Sequence, residues 1–266
     1  MKKFKLFALP YFIWLLFLVV FPLIIMLALT FMQSNGVDFS NSYFTLESYS
    51  RLNDVSILKA VLNSLLIASI TVIICILLGY PTAYFISFSK SKHKLLLLLL
   101  LIVPMWSNSM LRIVSWLRLF SLDAFSALNL IGTNFAVILV NVTTYLPFMI
   151  FPIYIVLEKI DRNLIEASKD LGVSSIKTFF KVTLPLSTSG LSNGIIMVFL
   201  PAATGFAISQ TIGQGKVRLI GNLIQSIFEK NNYNFGSLLS ILLSIIIIGL
   251  LIIFELKPKK EKKNAK

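Results

Sequence analysis

The sequence predicts an all-α membrane protein of six transmembrane helices, and three observations carry that prediction. Hydrophobic residues make up 57% of the 266-residue chain and charged residues only 13%, which is not a soluble globular balance. Six runs contain no Asp, Glu, Lys or Arg: 6–37, 60–89, 95–111, 124–157, 182–215 and 231–254. Each can hold a helix of the roughly 20 residues that a bilayer core requires. The third observation is a charged, helix-forming loop at 158–187, between the fourth and fifth expected spans.

The expected spans are 8–31, 60–86, 95–115, 133–157, 188–210 and 235–255, in one membrane domain over 1–266. The first follows Lys2, Lys3 and Lys5 as a signal peptide would. Its apolar run exceeds the usual h-region of about 7–15 residues and lacks a convincing cleavage site, so it reads as an uncleaved helix. Span two contains the single cysteine, Cys75, which reads as a small apolar core residue; one cysteine builds neither a disulfide framework nor a thiol metal cluster. Span three is the shortest run and is interrupted by Pro104. Span four carries Pro147 and Pro152, and span two Pro81, each able to kink a helix. Span five is the most polar and is punctuated by Gly190, Gly194, Pro201 and Gly205, residues tolerated where neighbouring helices satisfy the backbone. Span six leads into a basic tail, 257–266.

Lys and Arg set the orientation, because cytoplasmic loops keep the excess positive charge. With both termini inside, segments 1–5, 90–94, 158–181 and 257–266 hold 17 of the 24 basic residues. The opposite orientation would place most of that charge outside. The net charge of +13 is thereby assigned to topology and anionic lipid rather than nucleic acid. His93, the one histidine, lies in the basic 90–94 segment without an obvious partner.

In the 158–187 loop, Leu157, Ile160, Leu164, Ser168 and Leu171 share one helical face, and Ile176, Phe179, Phe180, Thr183 and Leu184 share a face of a second segment. Between them, Gly172 can take the left-handed conformation that ends a helix, and Ser174 or Ser175 can cap the next. The result is a helix-turn-helix at a membrane surface. Its residues Glu166, Ala167 and Ser168, then Gly172, Val182, Leu184 and Pro185, resemble the EAA loop of ABC importer permeases. Ser168 stands where that family usually has Ala, and Val182 where Ile is commoner. The resemblance implies the type I importer permease (MetI-like) fold and a coupling loop that docks on a nucleotide-binding subunit. Gly172 would supply the turn and Glu166 a polar contact.

The segments LLGYPTAYF (77–85), LLIVPMWSNSMLRI (100–113), YLPFMIFPIY (145–154), FLPA (199–202) and LIGNLIQSIF (219–228) resemble the B-type permease of spermidine/putrescine ABC importers. The region 120–132 is shorter than that family's usual outer segment. The resemblance implies a second homologous permease, an ATPase dimer, an extracytoplasmic polyamine-binding protein and a plasma or inner membrane location. ATP and Mg would sit on the ATPase and no cofactor on this chain. The sequence itself agrees that it is not an enzyme: it has no GxxxxGK[ST] or HExxH.

A path for a flexible polycation calls for aromatic faces, oriented oxygens and a nearby carboxylate. Trp106, Asn108 and Ser109 cluster beside Pro104, and Trp116 and Tyr145 add aromatic faces; the expected pathway set is Trp106, Asn108, Ser109 and Tyr145. No carboxylate lies within the core of a span, since Glu158 and Glu255 sit at cytoplasmic ends, so one would come from the second permease or the binding protein. Arg112 and Arg118 read as interface residues or partners of Asp123. The same architecture carrying another small solute is the alternative. A secondary transporter or channel predicts ionisable residues within the cores of the spans or duplicated halves, and neither is found.

Overall fold

The computed structural model describes residues 10–35 and 38–263. Lys2, Lys3, Lys5, the first residues of the expected first span and the end of the basic tail lie outside the described residues. The principal helices are α1 (Pro10–Leu29), α2 (Val55–Phe88), α3 (Lys94–Trp106), α4 (Ser109–Phe120), α5 (Asn134–Glu158), α6 (Arg162–Asp170), α7 (Ser175–Leu186), α8 (Thr188–Thr204), α9 (Ala207–Gly213), α10 (Ile220–Glu229) and α11 (Tyr233–Lys263). Strands β1 (Met32–Asn35) and β2 (Asp38–Phe44) lie between α1 and α2. Among the described residues, four helices are long and apolar enough to cross a bilayer: α1, α2, α5 and the Tyr233–Ile252 part of α11. The bent pairs α3 with α4 and α7 with α8 raise the total to six if each pair forms one span.

The chain has two compact units, Met1–Leu58 with Leu223–Gly249, and Lys59–Asn222 with Leu250–Lys266. In the first, α1 presents large apolar side chains to its surroundings along its length, as a lipid-facing helix does. Pro22 has no N–H to offer the carbonyl four residues earlier, and the backbone widens into a π turn over Leu16–Val20, with the Phe21 N–H donating to the Leu16 carbonyl. The β1–β2 hairpin is antiparallel, pairing Met32 with Phe44 and Gln33 with Tyr43, then slipping at an irregularity before Asn35 meets Asp38. This hairpin was not expected. Asn234, 2% exposed, clamps the end of α1: its Nδ2 donates to the carbonyls of Leu29 (2.8 Å), Thr30 (3.0 Å) and Met32 (3.1 Å), while Oδ1 accepts from the Ser48 hydroxyl. The amide thereby satisfies terminal carbonyls that a helix cannot bond internally.

In the second unit, α2, α5 and α8 form the main core around Ala68, Cys75, Ala83, Met149, Ile153 and Val198. Small residues set how closely the helices approach. A Cβ on Gly190 would lie 2.8 Å from the Pro152 carbonyl oxygen and one on Gly194 2.7 Å from Met149 Sδ, so α8 meets α5 through a small-xxx-small face. A second cluster joins α4, α5 and α9 through Ile113, Phe120, Val137, Val140, Ile208 and Ile212.

Two predicted spans are broken more sharply than a single kink. The third is split at Ser107 and Asn108, where α3 and α4 meet at 91°. Pro104 opens a 3-10 turn over Val103–Trp106, Ser107 is extended, and Asn108 starts a new helix. The fifth ends as a regular helix at Thr204, with Gly205 extended (ψ 141°), and resumes as α9.

Candidate functional site

Two parts of the second unit concentrate the residues singled out in the sequence: the α6–α7 loop, and a cavity where the broken helices face α5.

In the loop, Asp161 caps α6 by accepting from the Asn163 N–H at 3.0 Å. The helix closes at Gly172, whose φ is +76°. The Val173 N–H donates to the Ser168 carbonyl (3.2 Å) and the Gly172 N–H to that of Lys169 (2.8 Å), the two bonds of a Schellman cap. Nothing lies within 4 Å of where a Gly172 Cβ would project, so the requirement for glycine is one of backbone conformation, not space. Ser174 occupies the start of α7 with extended backbone but makes no side-chain cap bond. The hydroxyls of Ser168 and Thr178 meet at 3.0 Å and join the two helices, a contact unavailable to the Ala usual in the EAA motif.

Pro185 shapes α7. It withdraws the N–H due to the Lys181 carbonyl, and residues Phe179–Thr183 relax into a π turn in which the Leu184 N–H donates to the Phe179 carbonyl. At Ser187 the chain turns by 67° into α8. There the buried Ser187 Oγ and Tyr80 hydroxyl are 2.6 Å apart. Phe179 meets Tyr80 and Tyr84 edge-on, at 5.5 and 5.7 Å between ring centres. Arg162 donates to the Ser87 carbonyl (3.3 Å) and sits 6.0 Å over the Phe88 ring. An ion pair of Lys94 and Glu158, 2.5 Å, joins the start of α3 to the end of α5.

The other side of the loop is bare. Leu171 is 83% exposed, Ile176 73% and Phe180 59%, with Leu164, Glu166, Ala167 and Pro185 also exposed. The faces expected from periodicity are therefore divided: Leu157 and Thr183 are buried, whereas Leu164, Leu171, Ile176 and Phe180 are not. Several large apolar side chains grouped with charge on one surface mark a place for a partner.

The cavity has a volume of about 370 Å³ and is lined by residues of α4, α5, α8 and α9 and the breaks between them. Ser109 and Tyr145 of the expected pathway set line it, with Asn141, Thr144, Pro201 and Ser209. The other two are placed differently. Trp106 is 84% exposed and is not among the lining residues, and Asn108 is engaged as the cap of α4, its Oδ1 accepting from the Met110 (2.9 Å) and Leu111 (3.4 Å) N–H groups. Arg112, read from sequence as an interface residue, lines the cavity instead. The helical period of α4 holds the signal that was missed: Ser109, Arg112 and Ile113 fall on one face, and all three line the cavity. Among the described residues no group of three His, Cys, Asp or Glu side chains could hold a metal.

Comparison with known proteins gives a coherent picture. Residues 4–256 match the family described as binding-protein-dependent transport system inner membrane component. The chain is 37% identical over 256 residues to the spermidine/putrescine transport system permease protein PotB of Haemophilus influenzae, covering 91% of this chain and 90% of that protein. It is 36% identical over 255 residues to PotB of Escherichia coli, covering 91% and 92%. Among solved structures, a bacterial ABC transporter importing the acidic polysaccharide alginate aligns with a TM-score of 0.77 at 12% identity, over 97% of this chain and 96% of that one. The MetNI methionine transporter aligns with a TM-score of 0.57 at 14% identity, over 79% and 96%. The fold is that of the ABC importer permeases, and the chain belongs to the binding-protein-dependent transport system inner membrane components, multi-pass membrane proteins of transport.

Proposed function

We propose that this chain is a non-hydrolytic permease subunit of an ATP-driven, binding-protein-dependent importer that carries spermidine or putrescine by alternating access. The observation that carries the substrate class is the 37% identity, over nine-tenths of both chains, to a protein named as a spermidine/putrescine permease. In this reading an ATPase dimer, holding ATP and Mg, docks on the exposed Leu171, Ile176 and Phe180 side of the α6–α7 loop, with Glu166 and Ala167 at the contact. Gly172 and Pro185 set the shape of that surface. A homologous second permease completes the translocation path, and an extracytoplasmic polyamine-binding protein delivers the solute. Both termini and the loop are cytoplasmic, as the Lys and Arg distribution favours.

The geometry supports a lever. A push on α7 reaches α8 through the Ser187 bend, where the Tyr80 hydroxyl and the Phe179 ring tie the loop to α2. The far end of α8 is the Gly205 break that lines the cavity. Rigid elements joined at packed, bistable contacts convert a small displacement into a switch between inward-open and outward-open states. Ser109 and Tyr145 line the path, and Trp106 and Asn108 lie at its α3–α4 break.

The test is uptake of labelled spermidine by cells lacking this chain, with and without its return on a plasmid. Rescue that unlabelled polyamine competes away is the expected result. Absence of rescue, with the chain still co-purifying with an ATPase, assigns another small solute.

A further inference from the structure

Arg112 lines the cavity, yet its Nε is shut off from solvent and meets no hydrogen-bond partner among the described residues. A guanidinium offers five donors and no acceptor, and Arg112, half-buried as a whole, keeps one of those donors unsatisfied among the described residues, which is costly. The Asn141 side chain, 3% exposed and lining the same cavity, makes no hydrogen bond among the described residues. The hydroxyls of Thr144 and Tyr145 lie in the same wall. No Asp or Glu lines the cavity. Residues that carry donors and a positive charge therefore line a space of about 370 Å³ whose lining includes no anionic side chain among the described residues.

We propose that this cavity is a receptor for a carboxylate that the chain does not itself supply, gripped by the Arg112 guanidinium with the Asn141 amide as second donor. Arg–carboxylate pairing is the strongest hydrogen-bonded arrangement open to a guanidinium, and its planar fork matches two carboxylate oxygens. Two sources share this chemistry. One is a free small carboxylate, which requires nothing of the proposed transport reaction. The other is an Asp or Glu side chain of an adjoining subunit, which rests on that reading. In either case the bound group neutralises a charge that would otherwise repel a cationic solute at the helix breaks.

The experiment is NMR of ¹³C-formate with the full-length chain in nanodiscs, reading formate line broadening as formate concentration rises. Saturable broadening is expected, weakened at least tenfold in Arg112→Gln and partly kept in Arg112→Lys. Circular dichroism verifies that each variant retains its helices, and Arg112→Lys keeps the test decisive if Arg112→Gln does not fold. Repeating the titration on the assembled transporter separates the sources: persistent broadening assigns the site to a free carboxylate, and its loss assigns it to a side chain already in place. Absence of saturable broadening in the isolated chain, or broadening unchanged in Arg112→Gln, overturns the proposal.

Discussion

Gly172 shows how one backbone torsion shapes the surface of the α6–α7 loop. Its φ of +76° lets the two Schellman bonds form and turns the chain from α6 into α7 within a few residues. An L-residue in this region costs roughly 1–2 kcal/mol, and Asn tolerates it far better than a β-branched residue. With open space around the Cβ position, Gly172→Asn is expected to keep transport near the unmodified level while Gly172→Val loses most of it, both chains remaining in the membrane. Uptake assays and membrane blots check this pair. Equal uptake by the two would show that the turn does not depend on the left-handed conformation. The glycine was legible in the sequence because its spacing to the flanking periodic segments allows one position for the turn. Arg112 was legible as a charge but not as a cavity residue, because its neighbours on α5 and α9 come from parts of the chain far away in sequence.

At the scale of elements, proline and glycine write most of the irregularity. Pro22 and Pro185 each follow a π turn, and Pro104 precedes the 91° break between α3 and α4. The sequence marked Pro104 as an interruption, but the size of the bend is decided by packing. The β1–β2 hairpin escaped notice because a short extended segment between two long apolar runs gives little periodicity; the Asn35-Gly36 dipeptide, a turn signal of recognised strength, was its one local mark. The contact of α8 with α5 depends on Gly190, where a methyl group would press on the Pro152 carbonyl oxygen at 2.8 Å, a backbone atom with little room to yield. Gly190→Ala is expected to destabilise the protein by about 1–3 kcal/mol through overpacking. Gly249→Ala, which meets nothing within 4 Å, serves as the control and should cause no loss. Thermal unfolding midpoints in detergent compare the two; a Gly190→Ala midpoint at or above that of the control would contradict close packing at this crossing.

For the whole molecule, a bilayer inverts the usual reading of surface hydrophobicity. Exposed Leu, Ile and Phe side chains on α1 and α2 face a solvent as apolar as themselves, whereas those on the charged α6–α7 loop have no such explanation and call for a protein partner. The helix inventory was legible from runs without charge. The division into two units was not, because each draws on segments from both halves of the sequence. The most direct measurement is accumulation of labelled spermidine in proteoliposomes holding the assembled transporter and its binding protein, for the unmodified chain and for Leu171→Glu/Phe180→Glu. Accumulation that requires ATP, is suppressed by unlabelled putrescine and is reduced at least tenfold in the double variant is the result predicted. ATP hydrolysis proceeding without spermidine accumulation, or full accumulation by the double variant, would contradict the account.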